Sequence, residues 1–166
     1  MPGGTTDYTI APDGSFTAPL ELFFPYARTV GPTLSRFFTG LREQKIEGVR
    51  GADGRVHVPP AEFDPVTGES LSEWVDVASV GSVVTWSWQP HPVEGNTLQR
   101  PFAWALIALD GADTPMLHAV DAGDASAMAT GMRVRVRWAA ERGGGINDIE
   151  CFEPVVDSDA DDRAPA

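Results

Sequence analysis

The period of the apolar positions changes several times along this chain, and each change marks an element. Residues 1–19 are rich in Gly, Thr, Pro and Asp with no sustained periodicity, and read as an extended or mobile arm. The arm ends in Leu20-Glu21-Leu22-Phe23-Phe24-Pro25-Tyr26, an aromatic block too short and too close to proline to stand alone, so it must pack on something. Val30, Leu34, Phe37, Phe38 and Leu41 then recur at helical spacing around Gly31-Pro32, where a proline suits the first turn. A helix with one apolar face is predicted, weakened at its far end by Gly40 and closed by Gly48 and the turn from Gly51 to Gly54.

Between 46 and 68 the pattern breaks into two short hairpin-like pieces, a knuckle with 55–60 as its clearest strand and Asp64-Pro65-Val66-Thr67-Gly68 as a turn. A period of two follows, over 74–80, 82–88, 100–110, 115–120, 132–138 and 149–152. Five or six strands of this length, separated by Gly-rich turns, suit a small closed barrel. The expected organisation is an arm (1–28), a helix plus knuckle (29–68), a barrel (69–156) and an acidic, proline-containing tail expected to be disordered (157–166).

Length and composition narrow the function. A chain of 166 residues suits one domain, or a main domain with a small satellite, and buries roughly two thirds of its unfolded surface. Cys151 is the only cysteine, no charged and then apolar leader opens the sequence, and no apolar run nears the length of a membrane span, so a cytoplasmic protein is expected. The net charge of −12 argues against a nucleic acid as main partner, because such affinity comes from Lys and Arg displacing counterions.

Helix, knuckle and five-stranded barrel together resemble the zinc-ribbon OB-fold family known as domain of unknown function 35, over about residues 20–156. The resemblance rests on Gly54-Arg55-Val56-His57-Val58-Pro59-Pro60 and Gly68 in the knuckle, and on Pro101-Phe102-Ala103-Trp104-Ala105-Leu106-Ile107 and Thr130-Gly131-Met132-Arg133-Val134-Arg135-Val136 in the barrel. In that family four cysteines of the knuckle hold a zinc ion. Here the corresponding positions are Arg50, Asp53, Asp64 and Thr67, none a thiolate, so no metal site is expected. Arg50, Asp53 and Asp64 are instead expected to form a polar cluster, with packing of Val56, Val58 and Phe63 doing most of the holding.

The resemblance also implies a role. The barrel motifs look most like an actinobacterial branch of accessory subunits, which pair with thiolase-superfamily enzymes acting on acyl-CoA thioesters, including steroid side-chain-cleaving aldolases. It implies a non-catalytic subunit, a thiolase-like aldolase partner in a heterotetramer of two plus two, no cofactor bound by this chain, and a CoA thioester as substrate of the complex. An acyl-CoA-binding module and a single-stranded nucleic-acid binder are the alternatives.

Individual residues sharpen these expectations. The segment 102–109 is apolar on both alternations, so both sides should be covered, by knuckle and helix or by a partner. Trp86 and Trp88 share a strand face, with Trp104 and Trp138 on other strands; core packing is expected over base stacking, because few basic residues accompany them. Arg133, Arg135 and Arg137 point to one side of a strand, either as a solvated face or as a stripe meeting a partner's carboxylates or CoA phosphates. Phe23, Phe24 and Tyr26 with Phe37 and Phe38 are candidate docking residues, unless these rings merely close the junction between helix and barrel. His57, His91 and His118 show no ligand-type spacing, Cys151 reads as a buried inert thiol, and Gly143-Gly144-Gly145 reads as a hairpin tip.

Overall fold

The computed structural model describes residues 8–18 and 29–155; Phe23, Phe24, Tyr26 and the expected tail lie outside the described residues. Within the arm, β1 (Thr9–Ile10) and β2 (Phe16–Thr17) form an antiparallel hairpin where an extended or mobile arm was expected. The turn chemistry was present: Asp13 Oδ1 accepts the Ser15 N–H at 2.9 Å, and Gly14 takes φ +83°.

Helix α1 (Gly31–Arg42) carries Pro32 in its first turn, and buries Phe37 and Leu41 completely. Its end is a left-handed cap: the N–H of Gln44, at φ 62°, donates to Leu41 O, and the N–H of Lys45 donates to Gly40 O. Gly40 does not weaken this end. A Cβ there would stand 3.1 Å from Lys45 O, so the absence of a side chain lets the chain double back into the next strand.

That strand, β3 (Ile46–Arg50), lies between β4 (Val56–His57) and β5 (Trp74–Val77) in an antiparallel sheet. The assignment of 74–80 to the barrel is thus corrected. Residues Trp74 to Val77 pair with Val49 to Ile46, and the barrel begins only with β6 (Val80–Gln89). Arg36 explains the attraction, because its guanidinium lies 4.1 Å from the Trp74 ring centroid while bonding Glu47 on β3 at 2.8 Å.

After β6 come β7 (Phe102–Leu109), β8 (Met116–Val120), β9 (Arg133–Trp138) and β10 (Ile149–Pro154), closed in the order β10-β8-β7-β6-β9. Two local features make closure possible. Gly81 sits where β6 lies between β7 and β9, and a Cβ there would be 2.3 Å from Ala108 O. A bulge between Val83 and Thr85 then shifts the alternation, so Trp86 and Trp88 fall opposite Ala105 and Ala103 on the core side. Both tryptophans pack partly buried on the core.

The core is continuous. Phe37 and Leu41 of α1, Ile46, Val56, Val58 and Val77 of the small sheet, and Val83, Ile107, Val134 and Phe152 of the barrel form one buried cluster. At about 25 cal/mol per Å² of apolar surface, this shared burial ties helix, sheet and barrel into one unit. Among the described residues no helix is long and apolar enough to cross a membrane.

Candidate functional site

Three places could carry function: the knuckle, the arginine stripe and the exterior of the barrel. In the knuckle the expected polar cluster is formed in part: Asp53 and Asp64 converge beside Gly51, while the Arg50 guanidinium is bonded elsewhere. Arg50 turns away, its Nε donating to Glu73 at 2.9 Å and Nη1 to Gly54 O at 2.7 Å, while Asp53 Oδ1 accepts the Arg55 N–H. These pairings take the Arg50 guanidinium out of the expected grouping, whose two carboxylates stay together.

Asp64 does something different. Its Oδ1 accepts the N–H groups of Val66 and Thr67 at 2.7 and 2.9 Å, and its Oδ2 accepts the Ala52 N–H at 2.7 Å. One buried carboxylate therefore joins the turn at 64–68 to the turn at 51–54. These N–H bonds, Ala52 foremost, hold the Asp64 carboxyl below its ordinary range. Around Gly51 the packing is close: Asp64 Oδ2, Asp53 Oδ1 and His57 Nε2 all lie within 3.1 Å of where a Cβ would stand.

A zinc ion does not fit this arrangement, because no thiolate is present and the Asp64 oxygens are already occupied by backbone donors. Among the described residues no group of three or more His, Cys, Asp or Glu is placed to hold a metal. A polar cleft of about 220 Å³ opens beside the two turns, with Arg50, Asp64, Thr67 and Glu73 in its walls. Val56 and Val58 are buried as expected, but Phe63 is 53% exposed and holds nothing together.

The arginine stripe is matched from within the chain. Arg133 Nη1 donates to Asp110 at 2.8 Å, Arg135 Nε to Glu153 at 2.9 Å, and Arg137 reaches Glu150, Glu153 and Asp121 at 2.8, 3.2 and 3.0 Å. Arg100 shares Asp121. The Arg100 guanidinium, and then Arg137, hold the Asp121 carboxyl below its usual range. A phosphate approaching this face meets guanidiniums already paired with carboxylates, which removes most of the attraction.

Of the expected docking rings, Phe37 is 1% exposed and belongs to the chain's own core, so it is corrected to a junction residue; Phe38 packs half-buried beside it at 5.7 Å. His57 and His118 lie on different sheets, His57 on β4 and His118 on β8 facing Ala105 inside the barrel. The His118 ring is buried edge-on against Phe152, with no hydrogen-bond partner on Nδ1, and burial lowers its pKa. Burial also pushes the Cys151 thiol up to about 12. The triple glycine wraps a second buried carboxylate, with Gly143 and Gly144 N–H donating to Asp148 at 2.9 and 2.8 Å.

The outer side of β7 is only partly covered. Leu98, from the connection between β6 and β7, closes over Phe102 with Ala119 and Cys151, and Trp104 meets Phe102 edge-on at 5.1 Å. That satellite cluster contains no residue of α1 or the small sheet, contrary to the expected cover. Farther along the same face, Val84 and Leu117 remain 47% and 60% exposed on either side of Leu106. Composition alone does not reveal this asymmetry, since Val84 owes its exposure to the bulge.

Comparison with known proteins agrees with this architecture. The chain is similar to a solved chain described as an Ltp2-ChsH2(DUF35) aldolase, at a TM-score of 0.58 and 19% identity, covering 78% of this chain and 100% of that one. It is also similar to a DUF35-family protein of unknown function from Sulfolobus solfataricus, at a TM-score of 0.52 and 24% identity, covering 64% of this chain and 77% of that one. At these identities the likeness establishes the fold. No curated protein sequence matches. Residues 74–139 match the family described as the ChsH2 C-terminal OB-fold domain, in agreement with the closed five-stranded barrel.

Proposed function

We propose that the chain is a non-catalytic accessory subunit of a thiolase-superfamily enzyme that acts on acyl-CoA thioesters, a retro-aldolase of steroid side-chain degradation. The observation that carries this reading is the match of 74–139 to the ChsH2 C-terminal OB-fold domain, together with the fold shared with a chain described as part of an Ltp2-ChsH2 aldolase. The chemistry of the chain supports it. Cys151 is buried with its thiol pKa raised, and His118 is enclosed in the barrel, so neither offers an accessible nucleophile or base. The partner then supplies the catalytic residues, the CoA thioester enters as substrate of a cytoplasmic two-plus-two complex, and this chain binds no cofactor of its own.

The experiment is co-expression with a thiolase-superfamily chain, followed by sizing and a retro-aldol assay on a steroid side-chain acyl-CoA. A stable complex whose turnover needs both chains is expected. Turnover by this chain alone, or no association, overturns the reading. An acyl-CoA-binding module is less favoured, because the arginines suited to CoA phosphates are matched by the chain's own carboxylates.

A further inference from the structure

We infer that Lys45 is a side chain open to acylation by a CoA thioester, and that Glu47 and Asp76, which clasp its ammonium group, hold that reaction back. The supply of thioester rests on the accessory-subunit reading above, whereas the geometry stands on its own. Thioesters acylate thiolates and unprotonated amines. Of the side chains that carry these groups, the sequence has one cysteine and one lysine. Cys151 on β10 is fully buried with its thiol pushed up to about 12, so it offers no thiolate to solvent. Lys45 differs, because its side chain is 48% exposed.

Its position follows from the pairing of two strands. Lys45 comes directly after the left-handed Gln44, gives its N–H to Gly40 O, and leads into β3. Glu47 on β3 stands opposite Asp76 on β5, so two carboxylates meet across the strands. Like charges in that relation repel. Lys45 Nζ relieves the repulsion, at 3.1 Å from Glu47 Oε1 and 2.9 Å from Asp76 Oδ1, and Arg36 of α1 places a second cation on Glu47 at 2.8 Å. The hydrogen bond to Asp76, and then that to Glu47, hold the Lys45 amine above its ordinary range. At any pH below that range its unprotonated fraction is smaller than that of an unclasped lysine.

The reaction is an aminolysis. The unprotonated Nζ attacks the thioester carbonyl carbon, a C–N bond forms, the C–S bond breaks, and CoA leaves as its thiol with the proton that the amine sheds. The product is a neutral amide, which no longer balances the two acids. Glu47 keeps Arg36, while Asp76 loses its ion pair and faces Glu47 across the strands. Acylation at one amine thus loosens the pairing of β3 with β5.

The test incubates the full-length wild type and Asp76→Ala with acetyl-CoA at about pH 8.5, below the ordinary lysine range, and follows acetylation by peptide mass mapping. Free Nα-acetyl-lysine amide is the unclasped reference, and the Asp76 side chain is 77% exposed, so its replacement leaves the fold intact. Acetyl-Lys45 is expected in both chains, with Cys151 unlabelled, the wild type about threefold or more slower than the reference and Asp76→Ala about threefold or more faster than the wild type. Amide exchange in β5 is expected to quicken several-fold in the neutral Lys45→Gln and to stay put in the charged Lys45→Arg. A wild type as fast as the reference, or no faster after Asp76→Ala, overturns the clasp. No acetyl-Lys45 in either chain, or acetyl on folded Cys151, overturns the assignment of the site, and equal exchange in Lys45→Gln and wild type overturns its consequence for β5. None of these results touches the accessory-subunit reading, which stands or falls on co-expression.

Discussion

The carboxylate of Asp64 lies 2.7 Å from the backbone nitrogen of Ala52 and so joins two turns that are twelve residues apart. With Val66 and Thr67 on its other oxygen, it holds three N–H groups that would otherwise be left unpaired beside a buried segment. It thus cross-links the two turns by hydrogen bonding alone. In Asp64→Asn an amide donor replaces one acceptor and faces an N–H. Amide exchange at Ala52, Val66 and Thr67 is expected to quicken by about tenfold or more, with the barrel amides little changed. Excess chelator is expected to leave the thermal midpoint of the wild type where it was.

Acidification should act in two windows. Burial holds the folded pKa of His118 below its ordinary 6.5, so the unfolded chain binds the proton more readily. Its contribution is intact above about pH 6.5 and is lost as pH falls through that value toward the folded one. Glu47, held low first by Arg36, Asp64 by backbone N–H groups, and Asp121 first by Arg100, act below about pH 4, where protonation removes what their ionised forms supply. Denaturant titrations from pH 4.5 to 8 should show declining stability toward acid, with a shallower slope in His118→Phe.

Gln44 occupies a left-handed conformation that costs a side-chain-bearing residue about 1–2 kcal/mol. Its N–H bond to Leu41 O involves only backbone, so Gln44→Gly preserves the cap. A gain of about 0.5–1 kcal/mol in unfolding free energy is expected, smaller than the strain because glycine gains freedom in the unfolded chain. Equilibrium urea unfolding measures it directly.

Gly81 and Gly143 make a contrasting pair. At Gly81 a methyl group would stand 2.3 Å from the carbonyl oxygen of Ala108, while at Gly143 nothing lies within 4 Å. Gly81→Ala is expected to cost about 2–3 kcal/mol or more by forcing β6 from β7. Gly143→Ala should stay within about 0.5 kcal/mol, since its N–H bond to Asp148 needs no side chain.

Several expectations of the sequence reading survived because they depend on local patterns. Helical spacing from Val30 to Leu41 located α1, and the continuous apolar run over 102–109 and the alternation over 132–138 located two barrel strands. That Arg50, Asp53, Asp64 and Thr67 carry no thiolate is a statement of residue type, legible without any structure. What failed was partner choice. The segment 74–80 has a strand's period whether it joins the barrel or the small sheet, and the stacking of Trp74 on Arg36 accompanies its pairing with β3.

The amino-acid order by itself determined the helix, the run of barrel strands, the lone thiol and the residue types at the four knuckle positions, because periodicity and ligand chemistry are written in neighbouring side chains. Only the tertiary structure decided that Asp64 bridges two turns, that Phe37 lies inside, that Arg133, Arg135 and Arg137 find their own carboxylates, and that an uncharged row crosses β6 to β8. Each of these is a meeting of residues distant along the chain. Burial, screening and hydrogen bonding depend on distance through space, which local pattern leaves open until the strands have paired.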